Sequence, residues 1–243
     1  MSKELHADIL RLIKEKSGTP TKHTFSDAYL GNNHVRYPIT IPVLRSIAKD
    51  WMLEHAHLTS KEFASLISML IQAPSSTEKT IAGIMLGYSH HEQRKFNPDI
   101  FNNWLDHLNG WAKVDAVCTG DFSITQIQSD WTRYKKLLIK LSKDENLNKR
   151  RASLVLLCSP LSKLRDDSMA ETALQIVDRL KSEKAVLITK VISWLLRSMV
   201  RHYAKTVSLY IKENNDTLPK IAIRETVLKL KTGKKSKPIS SAR

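Results

Sequence analysis

Apolar side chains recur along this chain at intervals of three and four, the period of an amphipathic helix. Leu5, Ile9, Leu12 and Ile13 mark a first helix over 3–16, ended by Ser17-Gly18-Thr19-Pro20. A short helix around Phe25, Tyr29 and Leu30 and a loop over 31–41 are expected next. Pro42 then opens a helix carrying Leu44, Ile47, Ala48 and Trp51. Proline suits a first turn because the N–H it lacks would have no partner there. Thr59-Ser60-Lys61-Glu62 and Ser75-Ser76-Thr77-Glu78 both have capping-box spacing. Each precedes an apolar stripe: Phe63, Leu66, Ile67, Leu70 and Ile71 after the first, Ile81, Ile84, Met85 and Tyr88 after the second. Asn97-Pro98 opens a helix through Phe101, Trp104 and Leu108, and a helix from Trp111 follows, closed by Thr119-Gly120-Asp121. Further helices are predicted over 129–143, 147–158, 166–181, 183–202, 203–214 and 219–230.

No segment alternates as a half-buried strand would, and only seven glycines and eight prolines punctuate the chain. An all-α fold follows, because a sandwich or barrel needs a turn signal about every ten residues. Short loops between helices of about two to four turns make neighbours pack antiparallel. Stacked pairs would form a solenoid with a concave face. No repeat shows by letter identity, so an irregular bundle fits the same rhythm.

With 243 residues, 42% hydrophobic and 26% charged, the chain has the composition of a globular protein able to build a substantial core. The net charge of +15 changes the picture more. Surplus Lys and Arg release counterions on meeting a polyphosphate, which favours nucleic acid; an anionic membrane surface or an acidic partner would suit as well. Cys118 and Cys158 are the only cysteines, form no CxxC pair, and read as small buried hydrophobes. The N-terminal stretch lacks the apolar run of a signal peptide and no segment is long enough to span a bilayer, so an intracellular, cytoplasmic location is expected. The nine histidines match no zinc spacing, and no Walker loop, GxGxxG or GxSxG is present. Residues 232–243 hold Lys234, Lys235, Lys237 and Arg243 and no acid. They read as a disordered basic tail after a single domain over 1–231, serving as a solubilising end or a phosphate tether, or being an expression remnant.

Three stretches carry candidate chemistry. In Gly110-Trp111-Ala112-Lys113-Val114-Asp115, Trp111 and Asp115 stand four apart and share a helix face. An indole beside a carboxylate suits a substrate that carries or develops positive charge; a core Trp and a solvated Asp fit the spacing equally. Lys190, Trp194, Arg197 and Arg201 fall on one face of an otherwise apolar helix. They would line a groove with cations for phosphate and an indole for sugar or base, or else snorkel around a core Trp. Arg133, Lys136, Lys140 and Lys143, with Lys135 beside them, form a basic row that a merely solvated face would also explain. Arg150 and Arg151 open the next helix, and the Arg151 guanidinium could hold a phosphate bidentately.

Taken together, these segments resemble the AlkD-like DNA glycosylases, a DNA alkylation repair family of HEAT-like helical repeats. Tyr37-Pro38-Ile39-Thr40-Ile41-Pro42-Val43-Leu44-Arg45 with Ile47-Ala48-Lys49 is similar to the family's early "YGV…P…LR…AK" segment. Glu78 opens a helix as in its next block, and Trp111 with Asp115 matches Trp-x-x-x-Asp. Arg151-Ala152 resembles the Arg-Ala helix start, Lys190 to Arg197 the "K…GW.LR" helix, and Arg224-Glu225 the final helix. The likeness runs from about Tyr29 to Leu230. The chain departs from the pattern at Pro38, where Gly is usual, at Ala112, where an acid is common, and at Ser193, where Gly precedes the Trp. Lys149 and Arg150 occupy the place of a Trp before the Arg-Ala start.

The resemblance implies a superhelical stack of antiparallel helix pairs, an α-solenoid of HEAT-like repeats with a concave basic groove. It implies hydrolysis of the N-glycosidic bond of cationic alkylated purines, such as N3-methyladenine and N7-methylguanine, in duplex DNA, leaving an abasic site. Asp115 would stabilise the oxocarbenium-like sugar, with Trp111 and Trp194 against the deoxyribose. Arg45, Arg150, Arg151, Lys190 and Arg197 would contact DNA. The lesion would be held by its backbone, without a deep base pocket. No cofactor, metal, membrane or lysine nucleophile is implied, and the protein would act as a monomer. Two other classes fit the same residues: a DNA-binding relative that excises nothing, and a helical-repeat protein scaffold.

Overall fold

A computed structural model describes residues 2–18 and 36–234. Every regular element among them is helical. The chain divides into two compact units, Met1–Arg133 and Tyr134–Arg243.

The first unit holds α1 (Ser2–Lys16), α2 (Ile41–Glu54), α3 (Ser60–Gln72) and α4 (Ser76–Tyr88). A 3-10 turn (Glu92–Arg94) follows, then α5 (Ile100–Asp106), α6 (Trp111–Cys118) and α7 (Asp121–Ser129). Pro42 sits in the first turn of α2, and Thr59 and Glu62 complete the capping box of α3. The α4 helix is the hub, packing on α2, α3, α6 and α7. It is buried nearly all round, charged residues included, and each buried charge has a local solution. The Lys79 ammonium donates to the Ile71 carbonyl in the last turn of α3, and burial lowers its pKa. Burial opposes ionisation of Glu78, but His6 Nε2 at 2.7 Å and bonds with Ser75 outweigh it and hold the carboxyl below its usual range. Buried indoles are likewise satisfied: Trp51 Nε1 donates to Asp8 (2.9 Å) and Trp104 Nε1 to Ser68 (2.8 Å).

Helix α8 (Trp131–Leu141) starts in the first unit and ends in the second. The second unit then has α9 (Leu147–Lys163), α10 (Asp167–Leu180), α11 (Val186–Glu213) and α12 (Lys220–Thr232). Helix α11 packs on α9, α10 and α12. It is broken at Tyr203 (φ −130°, ψ 34°), where the sequence predicts one helix to end and the next to begin.

Three boundaries differ from expectation. Helix α9 runs through Pro160 to Lys163 instead of stopping near Cys158. Residues 121–129 form a helix where only a closing turn was expected. The 3-10 turn was not foreseen. Among the described residues no helix is long and apolar enough to cross a membrane. Cys118 and Cys158 are both buried thiols, as expected. The expected helix around Phe25, the loop over 31–35 and most of the basic tail lie outside the described residues.

Candidate functional site

Two local devices place α6. Gly110 precedes it at φ 86°, ψ 149°, a backbone conformation that side chains disfavour. Gly83 then lets α4 come against it: a Cβ on Gly83 would stand 2.5 Å from the Ala116 carbonyl oxygen. The helix buries Lys113, Val114, Val117 and Cys118. It leaves Trp111 and Asp115 half-buried on one face, with Ala112 and Ala116 beside them. The Asp115 carbonyl accepts from the Thr119 amide (3.0 Å) and hydroxyl (2.6 Å), closing the helix directly after the carboxylate.

Ala112, Lys113 and Ala116 form one wall of a cleft of about 600 Å³ inside the first unit. Its other walls come from the segment before α2, from α2 and from α4. Trp111 and Asp115 belong to the neighbouring flank of α6, about 100° round the helix from Ala112 and Ala116. The cleft holds the cations Arg36, Arg45 and Lys113 against one carboxylate, Asp121. Asp121 also faces Arg94, a guanidinium whose pKa burial lowers. Arg45 is exposed, while Lys113 is buried and donates to the Asn109 carbonyl (2.8 Å).

The cations of the second unit are arranged differently. Arg150 forks onto Glu183 (2.8 and 3.1 Å) and donates to the carbonyls of Asp144 and Glu145. Arg151 is only 5% exposed and donates to the Leu187 carbonyl (2.6 Å) in the first turn of α11. Lys149 is buried, with Asp144 3.5 Å away. On α11 the expected row is uneven. Lys190 and Arg201 are exposed and Trp194 is half-buried. The Arg197 side chain is 11% exposed and lies 3.3 Å from Glu225. Burial pushes its pKa down, and Glu225 opposes that. Ser193, at the position where the resemblance has glycine, is fully buried and donates to Glu225 (2.6 Å), so the hydroxyl ties α11 to α12.

The sequence model of the DNA alkylation repair enzyme family matches residues 14–230. The chain belongs to that family. Its fold is also that of a solved structure, the predicted DNA alkylation repair enzyme from Enterococcus faecalis. The two share 17% identity at a TM-score of 0.64, over 92% of this chain and 93% of that one. No curated protein matches the chain in sequence.

Within this DNA alkylation repair family member, Trp111 and Asp115 share one face of α6, and Lys190, Trp194 and Arg197 share α11, as their spacing predicts. Arg45 lines the cleft. Arg150 is occupied inside its unit, not displayed to solvent. Sequence reasoning passed over Gly83, Gly87 and Tyr88 as cleft residues. A glycine four residues before another in an apolar helix was the available signal for close packing.

Proposed function

We propose that the protein is a monofunctional DNA glycosylase that hydrolyses the N-glycosidic bond of cationic alkylated purines, of the N3-methyladenine and N7-methylguanine type, in duplex DNA. The observation that carries this is Trp111 and Asp115 on one half-buried face of α6, in a chain whose family match spans 14–230. Alkylation makes the purine cationic and hence a good leaving group, so little general-acid help is needed. The remaining barrier is charge growing on the sugar. The Asp115 carboxylate stabilises that charge and orients the attacking water, in the way glycosidase carboxylates do. Water adds to C1′ and gives up a proton to solvent, the cationic purine departs as a neutral base with the bond's electron pair, and an abasic site remains. Trp111 offers its indole face to the deoxyribose, and Trp194 in the second unit is a further indole for contact with DNA.

Exposed Lys190 and Arg45 take backbone phosphates. Arg150, Arg151 and Arg197 act mainly by holding the second unit's helices, with any phosphate contact of Arg151 made through a guanidinium already anchored on Leu187. The finer architecture belongs to the same proposal: helix pairs as HEAT-like repeats of one domain over 1–231, presenting a basic groove to duplex DNA, in a monomer. Incubation of the full chain with methylated duplex DNA, followed by chromatography of free bases, tests the activity. Release of methylated purines with the strand left intact is expected. Salt-sensitive binding without released base would favour a DNA-binding relative that excises nothing. The buried Lys149 in the place of a flanking Trp is the one observation on that side.

A further inference from the structure

We propose that a cleft of the second unit, at the break in α11, seats a backbone phosphate of duplex DNA separate from the one taken by Lys190, with Arg201, Lys205 and Arg165 as its cations. This rests on DNA being the ligand, as above, but not on the chemistry assigned to Asp115. The cleft has a volume of about 640 Å³ and lies between the start of α10 and the broken stretch of α11. Arg201 and Lys205 are four residues apart, one on each side of Tyr203, and both line it. Arg165 joins them from the loop between α9 and α10. All three are exposed, and none of their side chains is in an ion pair or a hydrogen bond with another described residue. Two carboxylates, Asp167 and Glu171, share the cleft. Asp167 is engaged with the Tyr203 hydroxyl, whose pKa is raised by burial first and by this carboxylate second. His202 also lines the cleft, and its Nε2 is buried without a hydrogen-bond partner among the described residues. Buried polar atoms are nearly always paired, so an orphan on a cleft wall is a place where an occupant completes the bonding. As the Nε2–H tautomer the ring donates, which suits a phosphodiester that can only accept. Position along α11 separates this phosphate from the other. Lys190 is eleven residues before Arg201 on the same helix face, about 16 Å along the axis, or about five nucleotides of one strand.

Neutral linkages test this on the full chain. The probe is a lesion-free duplex in which one phosphate at a time is replaced by an uncharged methylphosphonate, and the dissociation constant is read for each. In the parent, two separate sets of linkages should weaken binding when neutral, by roughly three-fold at each linkage. In Arg201→Ala one set should lose its effect while the other persists, and Lys190→Ala should do the converse, both with unchanged melting temperatures. Lys205→Ala should follow Arg201→Ala. Arg179→Ala, which removes an exposed charge of α10 outside the cleft, should move neither set. Both sets retained in Arg201→Ala, a single set in the parent, no binding of DNA, or binding of phosphatidylglycerol vesicles in its place would overturn the proposal. The two readings fail separately. Two sets with no methylated base released would count against the glycosylase and leave the seat standing, and base release with both sets retained in Arg201→Ala would remove the seat alone.

Discussion

Three arginines of the second unit and Arg45 of the first are used in opposite ways. In the second unit Arg150 is forked onto Glu183, Arg151 is held by the Leu187 carbonyl, and Arg197 lies beside Glu225. In the first unit Arg45 stands exposed on the cleft. A net charge of +15 therefore overstates the surface offered to a polyanion, because several cations act as struts between helices. Buried guanidinium groups need all their partners, since losing one leaves a desolvated charge. Exposed ones cost the fold little and remain available to phosphate.

Variants can break or sharpen that contrast. The largest effect is expected at Gly83. A methyl group there meets the Ala116 carbonyl at 2.5 Å, so Gly83→Ala should destabilise by roughly 1–3 kcal/mol and displace α6. Gly87→Ala, one turn on and in open space, should instead stabilise by about 0.4–1 kcal/mol. Chemical denaturation of both variants checks the signs; two stabilising changes would mean that α4 and α6 do not meet at Gly83. Arg150→Ala should come next, costing roughly 1–3 kcal/mol through lost charge-assisted bonds. The dependence of DNA binding on salt should then stay as it is, and a slope shallower by one phosphate would return Arg150 to the interface.

A smaller, pH-dependent effect belongs to Glu78. Its folded pKa is lowered, so its stabilisation is present above the ordinary glutamate value of 4.5 and is lost as pH falls through the folded one. Melting curves should show Glu78→Gln less stable than the parent at pH 7, with the gap closing as the pH is taken down through the folded value. A gap that did not change with pH would remove the ionised carboxylate from the His6–Glu78 pair that ties α1 to α4. The smallest effect is expected at Lys190. Lys190→Ala should change stability by less than about 0.5 kcal/mol and lower the salt slope of DNA binding by about one. An unchanged slope would leave α11 without its exposed phosphate contact.

Much of this was legible in the sequence, for physical reasons. Local signals transferred well. Thr59 with Glu62 makes the capping box its spacing predicts, Pro42 sits in a first turn, and the helix break falls at Tyr203. The shared face of Trp111 and Asp115 follows from helical geometry alone. Signals that depend on distant partners did not transfer. The Arg150 pairing with Glu183 spans 33 residues, and nothing nearby distinguishes a strut from a phosphate ligand. Pro160 reads locally as a helix stop, yet α9 continues past it in a strongly buried setting. The helix over 121–129 was hidden because Gly120 at φ 120° resembles a terminator, while it serves equally as the turn before a new start. The cleft could not be read, since its walls come from segments about 85 residues apart in the chain.

The central claim is that the Asp115 carboxylate drives departure of a cationic purine. Single-turnover release of N7-methylguanine, compared between the parent and Asp115→Asn at saturating protein, tests it most directly. Loss of one preorganised electrostatic group should slow release on the order of a hundred-fold or more, with the dissociation constant for methylated duplex largely retained. An unchanged release rate in Asp115→Asn would contradict the claim.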